Sequence, residues 1–437
     1  MQHPVVIVGL YAAHVLQKEH NIPVELVEAA DYVGGRVKQD WKFSGNGRPI
    51  EIGGELVHGE NNMLGKMVRE LGLDTADVFS VFQVNTSRPE YEYFYLGRER
   101  KLFGLHSDDA DLQHLYKLIG ELEENPPKGD VSFMQWLVDH GLPYRMLGVA
   151  DALYAKTWGT TVDKLSAVQF AVEQAAANEE EGEGNLQVKQ SYAPVIQRLQ
   201  KDLKIHLNWP VKKIDYTNPD AIKVTNARGE TVLASQVIIT VSLKVLQEGD
   251  IQFVPSLPQD KLRGIAGLRM DAGMKIFAKF NKIFWQEKHH LVICADTFVP
   301  QFWTYGKDVP IVTGFVTGDQ AAAASALPPR QAADSFIKQL DAVYGTESNP
   351  RPATDAFVDF MIQDWTKQPY VRGSYSAPSV GGNGCREALA KPIGRSIFFG
   401  GEATSLSAAA TIHGAMATGQ RAAEDLLKAR QQKVAKL

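Results

Sequence analysis

The chain reads as an α/β protein of two interleaved domains, and three observations predict it. Near the start, Pro4-Val5-Val6-Ile7-Val8-Gly9 is a short apolar strand that runs into a helical segment at Leu10 to Leu16, with a second strand from Val24 to Val27. In the middle, Val237-Ile238-Ile239-Thr240-Val241 is a continuous apolar run of the kind parallel strands adopt when both faces are buried. At the end, Ser396-Ile397-Phe398-Phe399 is a strand followed by a glycine turn and a long helix.

At 437 residues the chain is too long for one ordinary core and suggests two domains. Its 44% hydrophobic and 22% charged content is that of a soluble globular protein. A net charge of -5 argues against a nucleic-acid binder, which would carry a basic face. Two cysteines, Cys294 and Cys385, give neither a disulfide framework nor a metal spacing, so a reducing compartment and no metal are expected. No apolar run reaches the roughly 18 residues of a membrane helix, and the N-terminus enters a strand without a signal peptide. The expected location is the cytoplasm, or the peroxisome if the final Ala435-Lys436-Leu437 is read as an S-K-L type address.

The elements follow in order. A helix is expected around Met63 to Leu71. From about 105 the period turns helical, with Leu112, Leu115, Leu118, Ile119 and Leu122 at three-and-four spacing. Pro126-Pro127-Lys128-Gly129 breaks that helix, and further pieces follow at Phe133–Leu137 and Val168–Ala177. Residues 179–184 read as an acidic loop: a solvated turn, or a rim that attracts a polycation. Strands return at Ile205–Asn208, Val211–Ile214 and Ile222–Val224, a second β-rich stretch covers 274–315, and a helix lies around 331–343. Segments 1–80, 195–262 and 380–437 are assigned to a nucleotide-binding domain. Segments 81–194 and 263–379 are assigned to a substrate domain with a mixed sheet and helices.

The most informative stretch is Val24-Glu25-Leu26-Val27-Glu28, followed by a polar turn and Gly34-Gly35-Arg36. A carboxylate ending the second strand of a βαβ unit is placed to accept hydrogen bonds from a ribose. Gly34 and Gly35 allow close backbone approach, and Arg36 supplies a fork of donors for pyrophosphate. The pattern resembles the dinucleotide site of the flavin-containing amine oxidases, which implies a Rossmann-type FAD-binding domain and FAD as cofactor. One departure stands out. The family opens with G-x-G-x-x-G, whereas here Gly9 passes directly into the helix, and about five residues would have to be added after it to restore the pattern.

The second match is Gly400-Gly401-Glu402, then Thr411-Ile412-His413-Gly414, where a strand turns into a helix. Amides at that helix start favour negative charge on the reduced flavin ring, and Glu402 is suited to ribityl or pyrophosphate contacts. Further resemblance implies roles for other residues. Val211 stands where the family binds adenine through its backbone. Gly53-Gly54-Glu55-Leu56-Val57-His58-Gly59 resembles the G-G-x-x-x-H-G turn beside the flavin, with the histidine of polyamine oxidases. In Met274-Lys275-Ile276, period-two alternation sets Lys275 opposite Met274, Ile276 and Ala278. The segment resembles the one that holds a lysine, through a water, at flavin N5. Tyr375, in Gly373-Ser374-Tyr375-Ser376, is the candidate aromatic residue over the reacting amine, while Thr411 stands where a second ring often completes the sandwich. No cysteine adjoins Tyr375, which implies non-covalent FAD.

The implied reaction is oxidation of an amine C–N bond by hydride transfer to flavin N5. Oxygen then gives hydrogen peroxide, and the imine gives an aldehyde. Polyamine is the expected substrate, from His58, Glu55, Glu60 and Glu179 to Glu181. Two alternatives stay open. One is an L-amino acid oxidase using Arg88 or Arg372 on the substrate carboxylate. The other is a silent relative that has lost FAD with the loop after Gly9 and persists as a binding protein.

Overall fold

The computed structural model describes residues 3–59, 61–79, 92–104, 107–181, 185–305 and 308–434. Five short strands form an all-parallel sheet in the order Lys204–His206, Val24–Val27, Val5–Val8, Gln236–Ile239, Ile397–Phe399. Both faces are covered, as the apolar runs require. Val5, Ile7, Ile238 and Phe398 pack on Ala12, Leu16, Ala423 and Leu426 of two helices. Val6, Val237, Ile239 and Phe399 point the other way, toward Val224, Leu243 and Trp365. A four-stranded sheet, Thr231–Ala234, Ile222–Asn226, Val211–Asp215 and Gln252–Val254, closes that second side.

The strand Val5–Val8 reaches the helix Leu10–His14 through Gly9 alone. Gly9 is extended (φ 166), so its need for glycine is steric: a Cβ there would overlap the Thr240 side chain of the neighbouring strand. The helix then widens into a π turn over Val15–Glu19, a rare form that occurs mostly as a single turn within an α-helix.

The second large sheet has seven strands, ordered Phe357–Asp364, Gly273–Phe280, Ile311–Thr317, Gln301–Thr304, Leu291–Ala295, Glu92–Leu96, Lys101–Gly104. One face carries Ile276, Phe302 and Val316 against the helix Pro329–Tyr344. A helical cluster of Ala110–Glu124, Phe133–Asp139, Tyr144–Ala150 and Ala167–Glu181 buries Leu112, Leu115, Trp136 and Phe170 together.

One sequence expectation is corrected here. Glu179 to Glu181 continue the helix Ala167–Glu181 instead of opening an acidic loop, and 182–184 lie outside the described residues. The strand Asn185–Val188, assigned by the boundaries to the substrate domain, pairs with Leu56–His58 on one side and Thr75–Phe79 on the other. Its Leu186 and Val188 side chains join the core that holds Val57 and Val68. Glu60, Arg88 and Ala435-Lys436-Leu437 lie outside the described residues.

Candidate active site

One cavity of about 860 Å³ runs from the end of the parallel sheet to the face of the seven-stranded sheet. Sixteen of the candidate residues named above line it: Gly9, Glu28, Gly34, Gly35, Arg36, Gly53, Gly54, Glu55, His58, Val211, Lys275, Tyr375, Gly401, Glu402, Thr411 and Ile412. That volume is at the upper end for small-molecule sites, which run to ~1,000 Å³.

At one end, Glu28 ends its strand with its carboxylate accepting the Ala30 amide at 2.9 Å. Burial pushes its carboxyl up, partly offset by the Ala30 and Ala29 amides. Trp209 donates its amide to the Glu28 carbonyl at 2.8 Å, which draws Val211 beside the same wall. Gly34 and Gly35 adopt φ of 109° and 59°, the left-handed region in which glycine is unstrained. A Cβ at Gly34 would also press within 2.9 Å of the Val37 carbonyl.

Arg36 differs from expectation. Its guanidinium donates to the Ser374 carbonyl at 2.7 Å and to Glu402 Oε1 at 3.2 Å from both terminal nitrogens, so much of the fork is spent within the protein. Glu402 differs in the same way. Its oxygens accept the Ser376 hydroxyl at 2.7 Å and the amides of Ser376 and Ala410. The physical reason is burial: a carboxylate that is 5% exposed requires counter-charge and donors close by. Both residues therefore shape the cavity wall more than they offer free groups to a ligand. Arg386 extends the network, donating to the Ser376 hydroxyl at 2.7 Å and to Glu173 at 2.7 Å and 3.1 Å.

Beyond Gly401 (φ 94) the helix Ile412–Val434 begins. Thr411 caps it: its hydroxyl accepts the Gly414 amide at 3.0 Å and donates to the Ala408 carbonyl at 2.8 Å. The helix start and the Ile412 side chain thus face the cavity. Gly54 has room for no Cβ, because Ile412 would meet it at 2.9 Å.

At the far end, Lys275 is buried and opposes Met274, Ile276 and Ala278 as the alternation predicts. Its ammonium lies 2.7 Å from Glu55 Oε2. This corrects the reading of Glu55 as a free acidic group for polyamine: a buried lysine and a buried carboxylate neutralise each other. His58 Nδ1 donates to Asn185 Oδ1 at 2.5 Å. Tyr375 donates its hydroxyl to the Thr157 carbonyl at 2.5 Å, and its ring packs on Gly159. Burial pushes the Tyr375 phenol well up. Trp158, Trp303 and Phe315 also line this end, so aromatic surface is plentiful even though Thr411 brings no ring.

Arg372, named for a substrate carboxylate, is committed elsewhere. It pairs with Glu248 at 2.8 Å and Asp250 at 2.5 Å. That removes it from the L-amino acid oxidase reading.

Sequence reasoning missed Trp303, Gln187, Gln174 and Asn185 at the far end, and Arg386 with Glu173 behind Glu402. None sits in a motif. They reach the site from strands and helices whose meeting only the tertiary fold decides.

A carboxylate at a strand end, a double-glycine turn and a helix start around one continuous cavity are the parts of a dinucleotide-binding site. Residues 7–427 match the family described as flavin containing amine oxidoreductase, and the chain belongs to it. The chain is similar to polyamine oxidase 5 of Oryza sativa subsp. japonica, 28% identical over 449 residues that cover 95% of this chain and 85% of that one. Two solved structures share the fold. Putrescine oxidase bound to putrescine has a TM-score of 0.82 at 21% identity, covering 98% of this chain and 99% of that one. Cyclohexylamine oxidase from Brevibacterium oxydans has a TM-score of 0.80 at 20% identity, covering 99% and 100%. The protein is an amine oxidase that uses a flavin, an amine and oxygen, and neither the L-amino acid oxidase nor the silent-relative reading is favoured.

Proposed function

We propose that the chain binds FAD non-covalently and oxidises a polyamine. The adenosine would rest between Glu28 and Val211, the pyrophosphate along Gly34-Gly35, and the ring between the start of Ile412–Val434 and Lys275. These residues fit a long dinucleotide: two glycines at positive φ line the middle, and a capped helix start lies beyond. The fit is poorest beside Gly9, where Leu10 and Tyr11 line the wall in place of a glycine loop.

Bound FAD supplies the acceptor for hydride from the amine's α-carbon and returns two electrons to oxygen. The protein's part is placement. Tyr375, Trp158 and Trp303 form apolar walls that hold the carbon chain and exclude water. Lys275 stands as a buried cation at the end of the cavity that would hold the ring. The observation that carries the proposal is this lysine, buried in the wall of the same cavity that holds the strand-end carboxylate of Glu28.

Two measurements test it. Purified protein should show oxidised-flavin absorption, released on denaturation as free FAD. Peroxide release should then be faster with spermidine or spermine than with benzylamine. A flavin that stays attached after denaturation refutes non-covalent binding, and the reverse substrate order refutes the polyamine assignment.

A further inference from the structure

Lys275, in the strand Gly273–Phe280, and Glu55, just before the strand Leu56–His58, form a buried ion pair. Their side chains are 6% and 3% exposed, with Nζ 2.7 Å from Glu55 Oε2. The other carboxylate oxygen accepts Gln187 Nε2 at 2.8 Å and Trp303 Nε1 at 3.2 Å. Glu55 is therefore gripped on both oxygens and cannot swing away. Lys275 has one further acceptor, the Glu51 carbonyl at 3.2 Å, and the Trp303 ring lies 5.0 Å from its nitrogen. An ammonium with two acceptors and an aromatic face is fixed in place, whereas a buried lysine without counter-charge sheds its proton.

We propose that Glu55 is a positioning residue for the oxidative half of the reaction, keeping Lys275 charged and aimed into the cavity. The inference rests on the reading of Lys275 given above. Oxygen must gain two electrons, from the reduced cofactor, and two protons to become hydrogen peroxide. A fixed ammonium stabilises the negative charge that develops on oxygen as the first electron arrives, and is not consumed. The titratable groups around the pair are Glu51, Tyr192 and Tyr305. Burial pushes both tyrosines well up, so they stay neutral, and pushes Glu51 up to about 7.

The test compares flavin-loaded wild type with Lys275→Met, Glu55→Gln, Glu55→Asp and the Lys275→Met/Glu55→Gln pair. Reoxidation by oxygen is followed by stopped flow across pH. The Lys275 pKa is read separately by NMR of methylated lysine in flavin-free protein. Glu55→Gln should slow reoxidation roughly tenfold or more. It should also lower the Lys275 pKa and move the alkaline limb of the profile to lower pH. Glu55→Asp should recover part of the rate and of the pKa, and the double variant should be no slower than Lys275→Met. Wild-type reoxidation in Glu55→Gln, with Lys275→Met slow, overturns this inference and leaves the lysine reading intact. Wild-type reoxidation in Lys275→Met removes the lysine reading and this inference with it. Should Glu55→Gln not fold, Glu55→Asn takes its place, and a wild-type reoxidation rate in that variant overturns the inference equally.

Discussion

Arg36 and Glu402, 366 residues apart in sequence, share a hydrogen-bonded ion pair with N···O distances of 3.2 Å. The pair joins the double-glycine turn at the start of the chain to the turn before its last helix. Burial pushes the Glu402 carboxyl up, but Arg36, the Ser376 hydroxyl and Arg386 together outweigh it and hold the carboxyl below its ordinary range.

Arg36→Ala should therefore cost roughly 1–3 kcal/mol, since it takes the ion-pair partner from a buried carboxylate that keeps its Ser376 and Ala410 donors. The folded value of Glu402 lies below the unfolded one of about 4.3, so its stabilisation is complete above that pH and is lost as pH falls through the folded value. Urea midpoints of variant and wild type should converge on acidification below about pH 4. A gap independent of pH would count against the pair.

Glu51 behaves in the opposite sense. Burial raises its carboxyl to about 7, with the Tyr192 amide at 2.8 Å and Gln39 at 2.8 Å only partly opposing. A folded value above the unfolded one means stability that is present below about pH 4.3 and is lost as pH rises through about 7. Glu51→Gln should thus gain on wild type between pH 5 and pH 8, by about 1 kcal/mol or more. Melting temperatures measured at both ends of that window decide it.

Thr411→Ala removes the cap from Ile412–Val434 and should cost about 1 kcal/mol. Because that helix start lines the cavity, flavin affinity should fall as well, while Thr411→Ser should retain both. Flavin titration of the three proteins at one salt concentration is the check.

The direct passage from Gly9 into its helix makes a sharper prediction. Inserting about five glycine-containing residues after Gly9 should tighten FAD binding, because it restores a backbone-lined approach to the helix start. An unchanged dissociation constant would mean that Gly34, Gly35 and the helix Ile412–Val434 carry the cofactor unaided.

What the sequence disclosed and what it hid divide along physical lines. Gly34-Gly35, the helix start near Thr411 and the alternation around Lys275 were legible because local pattern dictates them: close approach without a Cβ, a strand turning into a helix, a period of two. Val5–Val8, Gln236–Ile239 and Ile397–Phe399 were legible as apolar runs, and Val24–Val27 and Lys204–His206 as short strand signals with polar residues between apolar ones. The partners were not. Nothing local in Gly53-Gly54-Glu55 says that its carboxylate meets Lys275, Gln187 and Trp303 from three other strands. Arg36 read as a ligand fork because its turn is a ligand turn, yet a buried Glu402 claimed much of it. Pattern reveals which side of an element a residue occupies, and only the assembled fold reveals what stands opposite.

The strand Asn185–Val188 is stitched along both edges, to Leu56–His58 on one side and Thr75–Phe79 on the other. Asn185 stands opposite His58 in that ladder and also takes the His58 ring nitrogen on its side-chain oxygen. One residue thus anchors the imidazole twice, through the backbone register and through the ring, so the cavity wall there is tied to a strand that has no open edge.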